Sequence, residues 1–596
     1  VKAVILAAGY GRRMRPLTDN RHKTLLDIGD DTIIGRIIDG LVDNNVLRIV
    51  VVTGYLRDEL VGYLTRRYPN VDFEFVHNAD YATTNNIHSM ALAFDSIEID
   101  SDIVLLESDL IFEPQVLSNL LADDRDNVAL VDRYRSGMDG TVVTVEDGAI
   151  TDVISPHRQG ANFDFSDKYK TLNIYKFAQG FVATEFRQLL TFYAQVIDDN
   201  VYYELMLGIL IYMQRQRIDA LLVDGRWAEV DDPNDLESAL FVFDDSRQVG
   251  VLEDSFGGYW NHDIVDFCFI RNMYFPNGSV ISELRNNLDE LLWNYGSRQS
   301  VLNQKLAYYL LCDRANVLAL NGAAQVYPVL GHLYNDKRIL CPTPTFGEYE
   351  RVFTPAAHYQ DDGETQVGDQ LSQLDLASFD LVVIVNPNNP TGSLVETETI
   401  ASLARSFPDT SFLVDESFIE FSNTPSLLTI LEDEPLDNII VLKSLSKSLG
   451  VPGARLGYMY TTNTDLLAAI AKWIPIWNMN SVAENFMEIL LKHRDTIADS
   501  FDRTRRDRDS FVARLEQSNV VRRVLGVAGN FVTCELEMSP DGLAAVQTTL
   551  LNEHRTYIKD VSDKFVAERA FARFAVRLPA ENSRLVDLLD VVGSRG

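Results

Sequence analysis

Short runs of buried-type apolar residues recur along this chain, separated by stretches with helical spacing. Residues 1–6 (VKAVIL), 48–53 (RIVVVT) and 103–106 (IVLL) read as strands, and 33–41 carries apolar residues at helical spacing. Strand–helix alternation of this kind predicts an α/β domain with a mostly parallel sheet. The habit returns in the second half, at 381–385 (LVVIV), 412–414 (FLV) and 439–442 (IIVL). The last ~115 residues are more helical, with few strands, as suits a smaller α+β subdomain. At 596 residues the chain exceeds a single hydrophobic core. The alternation fades near 235–239, and 244–258 (DDSRQVGVLEDSFGG) is polar and glycine-bearing, so it reads as a linker. The expected division is 1–242 and 243–596, the latter with a large subdomain at about 290–480 and a small one mostly within 481–596.

Charge narrows the partners. The net charge of −34 repels phosphate backbones and anionic lipids, which excludes nucleic acid and membrane surfaces as expected partners. Anionic substrates must then be met by local Lys and Arg clusters. Lysine is scarce, at 13 residues, which fits a GC-rich genome. The four cysteines form no CxxC pair, and the first 267 residues hold none. That suits neither a zinc site nor a disulfide framework, and fits a reducing cytoplasm. No apolar run reaches membrane-spanning length, and the N-terminal apolar stretch is too short for a signal peptide.

The chemistry begins at residues 6–26, LAAGYGRRMRPLTDNRHKTLL. A strand ends at Leu6 and a glycine-bearing loop follows. Gly9 and Gly11 let backbone N–H groups approach a triphosphate. Arg13 and Lys23 can neutralise the charge that develops as pyrophosphate leaves. No Gly-Lys-Ser/Thr follows, so this is not a Walker loop. The segment resembles the signature of sugar-phosphate and choline-phosphate nucleotidyltransferases. Residues 78–89 (NADYATTNNIHS) resemble the phosphocholine and phosphonate cytidylyltransferase branch. The resemblance covers most of 1–240 and implies a Rossmann-like nucleotidyltransferase domain that takes CTP as donor and a phosphate or phosphonate as acceptor. It implies a nucleotide site at Leu6, Ala8, Gly9, Gly11, Arg13, Lys23, Asn85 and Ser89. It assigns Mg2+ to Asp109, in ESD after a buried strand, and to Glu229 and Asp231, two apart in WAEVD. Asp232 reads as a surface bystander. Lys170 reads as a second phosphate contact. Tyr202, Tyr203 and Glu204 read as the acceptor pocket, where Glu204 would favour a cationic amine.

A second site centres on Lys447, in VLKSLSKSLGVPGARLGY. This segment resembles the Schiff-base region of class I/II aminotransferases, which implies a PLP-dependent domain of fold type I. Ser444 and Arg455 would then bind the cofactor phosphate, the arginine in bidentate fashion. Asp415, in FLVDESFIEF, would pair with the pyridinium nitrogen and keep the ring an electron sink. Asn389, in NPNNPTG, would bond the ring oxygen, and Phe346 would stack on the ring face. Ala324 and Gln325 would offer donors to the phosphate. The resemblance covers roughly 250–596 and extends to histidinol-phosphate aminotransferase and threonine-phosphate decarboxylase. It implies a homodimer in which Tyr295 reaches the partner's cofactor, and a substrate carboxylate held by Arg577. Phe418 occupies the position where aminotransferases of this fold carry a tyrosine, and it favours a decarboxylase.

Together the halves resemble the bifunctional cytidylyltransferase/decarboxylases of fosmidomycin-class phosphonate antibiotic biosynthesis. That implies CMP transfer to a small phosphonate or phosphate amino acid such as 2-amino-4-phosphonobutyrate, with loss of its α-carboxylate. The alternatives are a cytidylyltransferase fused to a true aminotransferase, a phosphoserine decarboxylase feeding CDP-ethanolamine, and a cofactor-dead binding module. The intact Lys447, Asp415, Asn389 and Arg455 argue against the last.

Overall fold

The strand Lys2–Ala7 is buried along its whole length in the computed structural model, as a parallel strand covered on both faces must be. Its side chains alternate between two cores. Val4 and Leu6 join Phe94, Phe177 and Phe186 on one face, and Ala3, Ile5 and Ala7 join Ile37, Ile38 and Leu41 on the other. The structure describes residues 1–135, 137–160, 163–566 and 568–594. They form two units, Val1–His262 and Asp263–Gly596. No helix among the described residues is long and apolar enough to cross a membrane.

The first unit is built on a nine-stranded mixed sheet. The strands Asp72–His77, Arg48–Thr53, Lys2–Ala7 and Ile103–Glu107 lie side by side and parallel. Tyr169–Phe177 then runs antiparallel to Ile103–Glu107 and leads to the remaining strands. Beside the sheet sits a two-stranded ribbon, Leu110–Phe112 against Trp227–Glu229, with Glu229 opposite Leu110. This register carries the chain after Glu229 back over Asp109.

The expected linker belongs to the first unit. Residues 248–255 form the helix Gln248–Ser255, and His262 stacks on Phe241 with ring centroids 3.9 Å apart. The boundary therefore lies at 262/263 and not at 242/243. Polarity alone suggested a linker, but Leu252 is fully buried and anchors this helix.

The second unit holds a seven-stranded sheet in which only Gly457–Tyr460 runs antiparallel to its neighbours. Leu381, Val383 and Val385 face one core, and Val382 and Ile384 face the other. A four-stranded antiparallel sheet, Val521–Val524, Phe531–Leu536, Phe571–Ala575 and Lys559–Asp560, forms the smaller layer. The short strand Val265–Asp266 pairs with Thr556–Tyr557, so the start of the unit joins this layer. Conversely, the helix Ser481–Leu490 packs in the large core through Phe486, Met487 and Leu490. The small subdomain thus begins later than 481 and also recruits residues near 265.

Asp232, expected at the surface as a bystander, caps the helix Pro233–Phe243. It accepts from Asn234 N at 2.7 Å and from Asp235 N at 3.1 Å, while the Asp235 side chain accepts from the backbone of both Asp231 and Asp232 at 3.0 Å. Asp232→Ala should therefore cost about 1 kcal/mol in the first unit. Urea unfolding followed by circular dichroism measures it, and an unchanged first-unit midpoint would contradict the capping role.

Two candidate active sites

In the first unit, loops at the carboxyl ends of the parallel strands enclose a cavity of about 580 Å³. Leu6, Ala8, Gly9, Gly11, Arg13 and Lys23 line one side. Asn85, Ser89, Asp109, Lys170, Glu204, Glu229 and Asp231 line the rest. Gly11 has φ +61, and a Cβ there would lie 3.3 Å from the Lys23 Cβ, so glycine lets the loop close over that lysine. Asn85 caps the helix Asn86–Ser96, and Ser89 accepts from Asn78 Nδ2 at 3.0 Å. Tyr203 does not line the cavity. It is fully buried beside Tyr175, with ring centroids 5.9 Å apart.

Lys23, Lys170 and Arg13 are each paired with carboxylates in this cavity. Lys23 Nζ lies 3.0 Å from Asp109 and 2.9 Å from Asp231, and Arg13 donates to Asp231 at 2.7 Å. Burial works against the Lys23 ammonium, but the two carboxylates outweigh it and raise its pKa. Burial likewise opposes the Asp231 carboxylate, yet Lys23 and Arg13 hold its pKa below the usual value. Glu229 instead pairs with the buried Lys170 at 3.1 Å. Burial, with repulsion from Asp109 and Asp231, pushes Glu229 up to about 7 despite Lys170. The expected triad of metal acids is thus divided between two lysines. Among the described residues no group of three His, Cys, Asp or Glu side chains is arranged to hold a metal. Asp109 Oδ1 is nonetheless buried without a hydrogen-bond partner. Asp109 and Asp231 suit an ion such as Mg2+, which takes one or two carboxylates and completes its shell with phosphate oxygens and water.

Deeper in the cavity, Glu107 accepts from Asn86 Nδ2 at 3.0 Å, and Glu204 Oε2 is buried without a partner. Burial and then repulsion from Asp109, Glu204 and Glu229 raise the Glu107 pKa, and burial raises that of Glu204. Glu107 was not singled out from the sequence, because only Asp109 of the ESD run matches the metal position that the resemblance assigns.

The second unit gathers its polar residues at one edge of its sheet. Asn321, Phe346, Asn389, Asp415 and Ser444 lie at or just beyond the carboxyl ends of five strands, and Arg455 lies just before the antiparallel strand Gly457–Tyr460. This is where open α/β sheets bind ligands. Asp415 accepts from Ser417 Oγ at 2.6 Å and from Tyr349 Oη at 2.7 Å. The Lys447 amine is 3.4 Å from Ser444 Oγ. Burial lowers its pKa, and Arg455 and Arg573 push the same way against Asp415. Gly322, at φ +74, would place a Cβ 2.7 Å from Arg455 Nη2, so only glycine admits the arginine here. Ala324 and Gln325 form the turn after Gly322, with Gln325 bonded to Asn321 N at 2.9 Å and also to Asn478. Ser446 Oγ and Asn321 Oδ1 are buried without partners. A buried amine with a lowered pKa, an acid with fixed orientation and an unpartnered serine hydroxyl fit pyridoxal phosphate.

Arg577 stands apart from this group. Its guanidinium donates to Asp266 O at 2.9 Å and to Glu581 at 2.8 Å. The strand ends at Ala575 and the chain turns into the helix Pro579–Gly593, which draws Arg577 to Glu581. Arg573, four residues earlier, is within the strand. It donates to Asn389 Oδ1 at 2.7 Å and to Cys268 O at 2.6 Å, and its Nε has no partner. Both arginines stand in one FARFAVR segment, and spacing alone did not separate them. Phe418 packs edge-on against Phe531, with centroids 5.1 Å apart, in a cluster with Ile270 and Ala575. Tyr295 is 79% exposed and stacks on Trp477.

The fold and the two sites define a nucleotidyltransferase unit joined to an enzyme unit of the aminotransferase fold. Residues 3–160 match the MobA-like NTP transferase domain, and 279–589 match Aminotransferase class I and II. The whole chain is 32% identical, over 611 residues, to the CMP-5'-(3-aminopropyl)phosphonate synthase of Streptomyces rubellomurinus (strain ATCC 31215), covering 95% of that protein. The L-serine phosphate decarboxylase of Sulfurospirillum multivorans is 26% identical over 350 residues, covering 54% of this chain and 86% of its own. The L-threonine-O-3-phosphate decarboxylase of Porphyromonas gingivalis shares the fold of the second unit, with a TM-score of 0.50 and 23% identity over 55% of this chain and 99% of that one. The chain belongs to the family of bifunctional enzymes that join a cytidylyltransferase to a PLP-dependent decarboxylase of aminotransferase class I and II.

Behind Asn389, Thr391 Oγ1 donates to the buried Asp361 at 3.2 Å, Ser393 also donates to it, and Asn388 links this network to Thr345 at 3.0 Å. Burial raises Asp361 to about 6, against these hydrogen bonds. An unfolded aspartate titrates lower, so the folded state holds the extra proton between about pH 4 and 6, and stability falls as pH rises through that window. Asp361→Asn should remove this fall and stabilise the second unit at pH 7 by an amount on the order of 2–3 kcal/mol. Unfolding midpoints at a series of pH values test this, and an unaltered pH slope would count against it.

Proposed function

We propose that the first unit transfers CMP from CTP to the phosphonate, or phosphate, of a small amino acid such as 2-amino-4-phosphonobutyrate. The second unit removes the α-carboxylate, which leaves a CMP-linked aminoalkylphosphonate. The observation that carries this reading is the 32% identity to the phosphonate synthase across the whole of this chain.

The cavity geometry supports the first step. Arg13 and Lys23 face the triphosphate and stabilise the departing pyrophosphate. Leu6, Ala8, Asn85 and Ser89 form the nucleoside wall. Asp109 and Asp231 would hold Mg2+, which supplies further charge to the phosphates. Lys170 stays behind Glu229, and Glu204 with Glu107 takes the acceptor's ammonium group. Tyr202, partly exposed at the rim, flanks that amine.

In the second unit Lys447 anchors the cofactor, Asp415 holds the ring nitrogen and Asn389 the ring oxygen. Ser444, Ser446, Arg455, Ala324 and Gln325 would hold its phosphate, and Phe346 would pack on the ring. Pyridoxal phosphate supplies the electron sink for the pair left by the departing carboxylate. Arg573, beside Asn389, orients that carboxylate. Half-buried Lys559, its cross-strand neighbour, faces the substrate's distal anion. Phe418 offers no hydroxyl where an aminotransferase would place one. Lys447 would deliver a proton to Cα from its ammonium form and be left as the neutral amine, and the amino group of the substrate stays on the product.

The exposed apolar patch of Leu292, Trp293, Tyr295 and Ile476 supports a homodimer through the second unit, with Tyr295 reaching the partner's site.

A single-turnover reaction with CTP and 2-amino-4-phosphonobutyrate, without any keto acid, tests the whole reading. The expected products are pyrophosphate, CO2 and a primary amine. Stoichiometric pyridoxamine phosphate without CO2 would replace the decarboxylase by an aminotransferase. Arg573→Lys should lower CO2 release by about two orders of magnitude, because lysine lacks the planar fork that orients a carboxylate. Arg577→Lys should leave it within a few-fold. The opposite pattern would return the carboxylate to Arg577.

A further inference from the structure

The residue before Lys23 is a buried histidine that neither the nucleotide nor the acceptor accounts for. His22 is 1% exposed and lies in the wall of the first cavity. It caps the short helix Lys23–Leu25, where Thr24 N donates to its Nδ1 at 3.2 Å. That bond makes Nδ1 the acceptor, so Nε2 carries the proton and donates to Ala7 O at 3.2 Å. Burial keeps the ring neutral, with its pKa lowered to about 4. The backbone N–H of His22 donates to Glu59 Oε2 at 2.8 Å, which fixes the segment to the helix Arg57–Arg67.

Ala7 is the last residue of the central strand, and Ala8, Gly9 and Gly11 follow as the loop facing the triphosphate. Lys23 begins the short helix and reaches Asp109 and Asp231. One imidazole therefore joins the root of the phosphate loop to the root of the lysine, two segments fifteen residues apart in sequence.

We propose that His22 is a positioning residue for nucleotidyl transfer, bridging the phosphate loop to Lys23 through its two ring nitrogens. It acts through Lys23 and the phosphate loop, and the reacting atoms are left to those groups. It sets the distance between the backbone donors of the loop and the Lys23 ammonium, so that both meet the same triphosphate. The inference rests on the reading of Lys23 as the cation that serves the transfer.

Three variants separate bridge, cap and charge. His22→Asn keeps an acceptor for Thr24 N and caps the helix, but is too short to reach Ala7 O. His22→Gln carries an amide donor at a reach close to that of Nε2. Lys23→Ala tests the underlying assignment. The measurement is steady-state pyrophosphate release from CTP with 2-amino-4-phosphonobutyrate, using the full chain loaded with pyridoxal phosphate. Visible absorbance of the bound cofactor serves as a folding control in the same molecule. His22→Asn should lower kcat by about tenfold or more, with the KM for CTP little changed, because it moves a charge and leaves the binding groups in place. His22→Gln should recover most of that loss. A kcat for His22→Asn within twofold of the parent, or a Gln variant no better than Asn, would overturn the bridge. A loss carried by KM alone would also overturn it. If Lys23→Ala retains full activity while His22→Asn does not, the assignment of Lys23 fails separately. Thermal unfolding of each variant accompanies the assay, and Asn and Gln variants with equal stability but unequal kcat isolate the bridge from folding.

Discussion

A parallel strand buried on both faces carries polar side chains only where it ends. This constraint organises both halves of the molecule. The interiors of 2–7, 103–107, 381–385 and 411–415 are apolar on both faces, and polar or glycine-bearing residues come at or just beyond each carboxyl end. Asp109 and Asp415 emerge there, as do the glycine loop after Ala7 and the NPNNPTG turn. Two unrelated chemistries thus arise at the same edge of two differently ordered sheets.

At those edges the chain solves a problem set by its own acidity. With a net charge of −34 it must still admit the phosphates of a nucleotide. It keeps its cations buried and paired, Lys23 between Asp109 and Asp231 and Lys170 against Glu229. Breaking such a pair leaves an uncompensated buried charge. Lys447 follows the reverse logic. Burial and two nearby arginines lower its pKa against Asp415, the direction a nucleophilic lysine requires.

Much of this was legible in the sequence because motif residues are local. The segment from Leu6 to Lys23 and the SLSK run each declare a strand, a loop and a charged group in a fixed order. The departures concern residues whose meaning depends on distant partners. Arg573 and Arg577 look alike in one segment, and only the point where the strand ends sends the second to Glu581. Asp232 read as a bystander because the helix it caps begins one residue later. The stretch 244–258 read as a linker because few apolar residues mark it, although Leu252 is buried. His22 carried no signal, since its two ring partners are recognisable only in space.

The sequence by itself determined the two α/β units, the phosphate loop and the lysine of the second site, because periodicity and short motifs act over a few residues. The tertiary structure alone decided which acids share which lysine, which arginine faces Asn389, where the first unit ends and what His22 bridges. Those outcomes rest on strand register and on how chain segments meet across a sheet edge. Contacts between residues dozens to hundreds of positions apart leave no local pattern to read.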